Sequence, residues 1–166
     1  LNTYLGTTSV TGAGGLYLGT SVQPNQAGAL GISDTPLVVS GAGLVGLAGQ
    51  LTMGRDMQFT TSGTLRGVGV YNSVITGGIT LASGVTLTVE TASTVGTGYF
   101  VGGVLDLAGP ITGPGALRLA YNNIGTTYGY GTVRLSGNVN GISTNTYSGG
   151  TTIQPARVQI GADSAF

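Results

Sequence analysis

The sequence predicts an all-β chain without α-helix, wound as a parallel β-helix, a solenoid of short strands. Three observations carry this expectation. Of 166 residues, 33 are Gly, 25 Thr and 12 Ser, while Lys is absent and Glu occurs once. Each Gly inside a helix costs about 1 kcal/mol relative to Ala, and such a composition leaves few residues that favour one. Second, apolar residues recur with period two in runs of three to five, the signature of half-buried strands, and nowhere with helical period. Third, these runs are separated by Gly-rich corners. Sandwiches and barrels usually have strands of about five to six residues, so strands this short suit a solenoid better.

The elements follow in chain order. Leu16-Tyr17-Leu18 alternates after the corner Ala13-Gly14-Gly15. Gln50-Leu51-Thr52-Met53 and Met57-Gln58-Phe59 alternate and lead to Ser62-Gly63. Gly78-Ile79-Thr80-Leu81 follows Gly77 and precedes Ser83-Gly84. Val85-Thr86-Leu87-Thr88-Val89 puts three aliphatics on one face and two Thr on the other. Val104-Leu105-Asp106-Leu107, Ala116-Leu117-Arg118-Leu119, Thr132-Val133-Arg134-Leu135 and Arg157-Val158-Gln159-Ile160 repeat that pattern. Gly at the corners accepts positive φ without a Cβ clash. Thr suits the outer face, because β-branching favours the strand while the hydroxyl meets water. The expected inward set is Leu51, Leu81, Leu87, Val89, Leu105, Leu107, Leu117, Leu119, Val133, Leu135, Ile153, Val158 and Ile160. Coils of about 20–25 residues are expected.

Composition also excludes functions. His and Cys are absent, so zinc and copper sites and nucleophilic triads lack their residues, and no disulfide forms. Five Arg balance five acidic residues, which leaves no basic footprint for nucleic acid. Two charge-free stretches, residues 35–54 and 67–89, are long enough to cross a bilayer. Both are broken by Gly and Thr, so no transmembrane helix is expected. A transmembrane β-barrel would need strands of about 9–11 residues.

One motif recurs at long range. Asn145-Thr146-Tyr147-Ser148-Gly149-Gly150-Thr151-Thr152-Ile153 is echoed by Asn2-Thr3-Tyr4-Leu5-Gly6-Thr7-Thr8-Ser9-Val10, an offset of 143 residues (145 − 2). Its physical reading is a structural corner. Asn145 bonds its own backbone in a turn, Ser148-Gly149-Gly150 turns the chain, and Ile153 points inward. Tyr147 covers the corner with its hydroxyl toward water. The chain then reads as a single segment, residues 1–166, holding one period of six or seven coils and the start of the next. It reads as a unit or fragment of a longer array.

Together with Val133-Arg134-Leu135-Ser136-Gly137-Asn138 before it and Val158-Gln159-Ile160-Gly161 after it, the motif resembles the passenger-associated repeat of bacterial autotransporters. The stretch from Leu105 to Leu117 is similar to the segment that precedes that repeat in the family. The resemblance covers residues 104–166 well and 1–31 in weaker form. It implies a right-handed parallel β-helix displayed extracellularly or on a bacterial cell surface, acting as an adhesin, aggregation factor or stalk.

Gly41-Ala42-Gly43-Leu44-Val45-Gly46 fits G-x-G-x-x-G, but a dinucleotide site needs a following helix and an acidic residue about 20 positions on. Neither is present. Asp34 and Asp56 are spaced for stacking on successive coils, which a glycan-cleaving site would need. The plainer reading puts Asp34 in a turn and pairs Asp56 with Arg55. Glu90, Asp106, Arg118, Arg134 and Arg157 fall on outward positions, as solvated charges or Arg–carboxylate pairs between coils. Tyr121, Tyr128 and Tyr130 read as a loop and a candidate contact surface. No catalytic residue, cofactor or metal is expected. The expected function is a structural shaft or fibre unit, non-enzymatic, associating end to end or continuing covalently, with surface glycans or receptors as further partners. An adhesive or carbohydrate-binding module on the same fold is the alternative, ahead of a glycan-cleaving enzyme.

Overall fold

Short aliphatic runs between Gly corners become sixteen strands in the computed structural model, which describes residues 2–92, 103–122, 131–137 and 145–161. Among these residues there is no helix, and every ladder between named strands is parallel. The chain visits three sheets in turn. A first circuit holds β1 (Ser9–Val10) and β2 (Gly15–Leu18). The second holds β3 (Leu37–Val39), β4 (Leu44–Leu47) and β5 (Thr52–Met53). The third holds β6 (Met57–Phe59), β7 (Gly63–Val68) and β8 (Ser73–Ile75). The fourth holds β9 (Ile79–Leu81), β10 (Thr86–Ala92) and β11 (Val104–Leu107). The fifth holds β12 (Ile111–Thr112), β13 (Ala116–Asn122) and β14 (Thr132–Leu135). The sixth ends with β15 (Thr151–Ile153) and β16 (Arg157–Ile160).

Sheet 1 orders β1-β3-β6-β9-β12, sheet 2 β2-β4-β7-β10-β13-β15, and sheet 3 β5-β8-β11-β14-β16. The all-β class, the missing helix and the parallel pairing agree with the sequence, and the succession of strands is consistent with a β-solenoid. Circuit length differs from expectation. Along the row Leu16, Val45, Leu65, Val89, Leu119 and Ile153, successive partners lie 29, 20, 24, 30 and 34 residues apart. Only the second and third steps fall within 20–25. The first contains a described excursion between Val22 and Leu37, and the last two contain residues outside the described set.

Inward rows stack like on like. Leu37, Met57, Ile79 and Ile111 form one, and Met53, Ile75, Leu107 and Leu135 another. All eight are at most 1% exposed and belong to one apolar cluster to which the three sheets contribute. Burying each such side chain is worth about 1.5–3 kcal/mol. Ten of the expected inward residues, from Leu51 to Leu135, are buried. Ile153 and Ile160 are not, at 53% and 46% exposure, and Val158 is half-buried. Their register is inward, opposite Leu119, Leu135 and Val133. They lie on the last described strands of sheets 2 and 3, where apolar neighbours stand on one side only.

Corners are tied by side-chain oxygens that accept backbone N–H groups of the next circuit. Ser21 Oγ takes Thr52 N at 3.0 Å, Ser62 Oγ takes Thr86 N at 2.9 Å, and Asn72 Oδ1 takes Val104 N at 3.0 Å. Each bond satisfies a donor the ladder leaves open. Glycine is obligatory where circuits touch through their backbones. A Cβ on Gly103 would stand 1.8 Å from the Tyr71 carbonyl oxygen, and one on Gly109 2.1 Å from that of Gly77.

Candidate functional site

The two motif copies make the same side-chain bond. Tyr4 Oη lies 3.0 Å from Thr8 Oγ1, and Tyr147 Oη 2.6 Å from Thr151 Oγ1. Both pairs span four residues and brace the step from motif to strand. Tyr147 is buried, and burial raises its phenol pKa, an effect the bond to Thr151 partly offsets. The hydroxyl therefore meets Thr151 rather than water alone, a correction to the corner reading. Asn145 also differs from expectation: its Oδ1 accepts Ile111 N of the preceding circuit at 2.9 Å. Gly150 turns the chain at φ +82° and Ser148 N donates to the Gly113 carbonyl at 3.0 Å, as a tight corner requires. In the first copy Asn2 and Gly6 are exposed, and Asn2 Nδ2 donates to the Ala29 carbonyl at 3.3 Å.

The copies occupy different places in the circuit. The first leads into β1 of sheet 1; the second runs beside β12 and leads into β15 of sheet 2. The 143-residue offset therefore spans five circuits and one further sheet, in place of six or seven whole coils.

The carboxylates are distributed by register. Asp56 stands level with Pro36, because Leu37 pairs with Met57, so Asp34 and Asp56 are two residues out of step. Asp56 Oδ1 accepts Gly78 N at 2.7 Å. It does not pair with Arg55. That arginine is fully buried, donating to the carbonyls of Leu30 and Thr35, each at 2.5 Å, and to Thr35 Oγ1 at 3.2 Å. It seats the excursion of the first circuit. Glu90 and Asp106 are outward by alternation, as expected, but buried at 8% and 5% exposure. Each meets an Arg at the same register position of a neighbouring strand: Glu90 with Arg66 and Asp106 with Arg134, both at 2.5 Å. The bond that Arg134 donates to Asp106 raises the arginine's pKa. Among the described residues no three Asp or Glu gather to hold a metal.

The G-x-G-x-x-G string turns the chain out of β3, with φ of +68° at Gly41 and +62° at Ala42, and its last three residues already belong to β4, a strand where a dinucleotide site needs a helix. Of the three tyrosines read as a loop, Tyr121 lies on β13 opposite Thr91. Tyr128 and Tyr130 fall outside the described residues, as does Asp163. No helix among the described residues is long and apolar enough to cross a membrane.

Sequence reasoning passed over the outer face of sheet 2. One outward row there runs Leu44, Thr64, Thr88, Arg118, Thr152, and the next Tyr17, Gly46, Arg66, Glu90, Ala120. Ala42, Ser62, Gly63, Thr64, Thr86, Thr88 and Arg118 line a groove of about 360 Å³ on it. The Tyr17 ring lies across Gly46, where a Cβ would stand 2.4 Å from it, and remains 55% exposed. The signal in the sequence was Gly46 facing a ring across the register, which no alternation count detects.

No family model, curated protein or solved structure matches this chain. The reading of function rests on the geometry: a hydroxyl-rich outer wall, ion pairs that tie neighbouring strands, and a corner motif used twice.

Proposed function

We propose that the chain is a segment of a right-handed parallel β-helical shaft, non-enzymatic and extracellular or displayed on a bacterial cell surface, like the passengers of autotransporters. The observation that carries this reading is the recurrence of one bonded corner, Tyr4 with Thr8 and Tyr147 with Thr151. A corner that recurs with its hydroxyl bond intact serves the construction of a long stack. The carboxylates support the same reading, since Glu90 and Asp106 are engaged in ties between strands. The shaft continues covalently or by strand addition end to end, and it supports adhesion, aggregation or display.

Two measurements test the proposal. Intact cells of the source organism are labelled with antibody against the chain, before and after permeabilisation. Labelling of intact cells is expected; labelling only after permeabilisation overturns surface display. Electron microscopy of the native material is expected to show rods or fibres, and compact particles overturn the shaft.

A further inference from the structure

We infer that the outer face of sheet 2 binds an acidic oligosaccharide, with Tyr17 as the platform for a sugar ring and Arg118 as the partner of its acid group. The inference stands on that face alone and does not depend on surface display or fibre formation.

The platform comes first. Tyr17 projects outward from β2, and its ring lies over Gly46 of β4 and beside Gly15, where a Cβ would be 3.5 Å away. The missing side chain at Gly46 thus leaves the room in which the Tyr17 ring crosses the sheet. At 55% exposure its outer face is open. An aromatic ring with an apolar face and a polar rim suits the C–H face of a sugar. Arg66 Nη1 donates to the Tyr17 hydroxyl at 3.4 Å and is itself held by Glu90, so the ring's polar end is anchored.

The groove supplies the rest. Its wall carries Ser62, Thr64, Thr86 and Thr88, whose hydroxyls both donate and accept, as sugar hydroxyls do. Arg118 closes it. No carboxylate lines the groove, and Arg118 donates through Nε and Nη2 to Gln154 Oε1, a neutral acceptor. Arg66 and Arg134 have carboxylate partners; Arg118 has none among the described residues. A guanidinium held by an amide exchanges that acceptor favourably for an incoming carboxylate or sulfate, because charge-assisted bidentate bonds are the stronger ones. Tyr17 on β2 and Arg118 on β13 are four strands apart in sheet 2, about 19 Å at the usual strand spacing. A chain of several sugar rings spans that distance. A single cation is too few for nucleic acid, and the groove is lined by no aliphatic side chain larger than Ala42, which leaves little for the apolar side chains of a peptide to meet.

Calorimetric titration of the purified chain tests this, with oligogalacturonate hexamer, heparin hexasaccharide, uncharged maltohexaose and a poly-Glu peptide as probes. At least one acidic saccharide is expected to bind about tenfold more tightly than maltohexaose, and Arg118→Gln is expected to bring the two within about twofold. Tyr17→Ala should weaken the acidic saccharide at least about fivefold, while Tyr17→Phe keeps its affinity. Gly46→Ala, which displaces the ring, should act as Tyr17→Ala does, with unchanged circular dichroism. The inference is overturned if neither acidic saccharide binds at millimolar concentration or if poly-Glu binds as tightly. Full binding by both Arg118→Gln and Tyr17→Ala overturns it equally.

Discussion

Asp106 and Arg134 occupy the same register position on adjacent strands of sheet 3, and their side chains meet at 2.5 Å across the ladder. Ser136 Oγ donates to the second oxygen of the same carboxylate at 2.6 Å. Asp106 is 6% exposed at the side chain and Arg134 37%, so solvent screens one end of the pair.

Arg134→Gln leaves that carboxylate buried and short of its cation. The expected loss is about 1–3 kcal/mol, less than for a fully buried pair because Arg134 is partly solvated. Denaturant unfolding of the single variants and of Asp106→Asn/Arg134→Gln together measures it. The double variant should be more stable than the sum of the singles implies.

Arg55→Met should act locally. It removes the donors that satisfy the Leu30 and Thr35 carbonyls, and each buried unpaired acceptor costs about 1–3 kcal/mol. Hydrogen exchange is expected to rise across residues 28–36 before it rises in β6 to β10. Uniform loss of protection would instead make Arg55 a part of the common core.

Tyr147 gives the chain a base-sensitive point. Burial holds its phenol above the ordinary value. The folded pKa is raised over the unfolded one, so the neutral phenol stabilises the fold fully below about pH 10. That contribution is lost as pH climbs through the folded pKa. Phenolate absorbance should show a late-titrating component that is absent in Tyr147→Phe. Losing the bond to Thr151 should cost about 0.5–1.5 kcal/mol at neutral pH.

Two glycines separate backbone contact from backbone conformation. Gly103→Ala forces two circuits apart, since the new Cβ would fall 1.8 Å from the Tyr71 oxygen; a loss of about 3 kcal/mol or more is expected. Gly84 has φ +74° with nothing within 4 Å of a Cβ, so Gly84→Ala should cost only about 1–2 kcal/mol. Melting temperatures of the two variants check the order. Equal values would remove the steric argument for the stacked corner.

The sequence was most informative where alternation was uninterrupted. Runs such as residues 85–89, 116–119 and 132–135 became β10, β13 and β14 with the expected faces, because a buried side of a strand needs every second residue apolar. Other strands were silent. β3 is three apolar residues in a row, and β4 carries Gly46 where a side chain was due, so neither alternates. For the charges the sequence offered solvated positions or Arg–carboxylate pairs between coils without deciding; the pairs form, and the reason they could not be assigned is related. Alternation tells which way Glu90 and Asp106 point, but their burial depends on arginines 24 and 28 residues away, and that distance is set by circuit lengths that vary from 20 to 34. The outer face of sheet 2 was hidden for the same cause: Tyr17 and Gly46 come together, and Arg118 joins them on one wall, only once the register is known.

The placement of the two motif copies has a geometric consequence. Five circuits and one sheet is not a whole number of revolutions. Were the three sheets the faces of the β-helix proposed above, a stretch of this length would hand its closing corner to the next face. A pattern repeated at the same interval would step through all three faces and regain its first orientation only at the fourth copy. Binding features carried on such a pattern would wind about the axis as a spiral stripe, so that partners approaching from any side meet one of them.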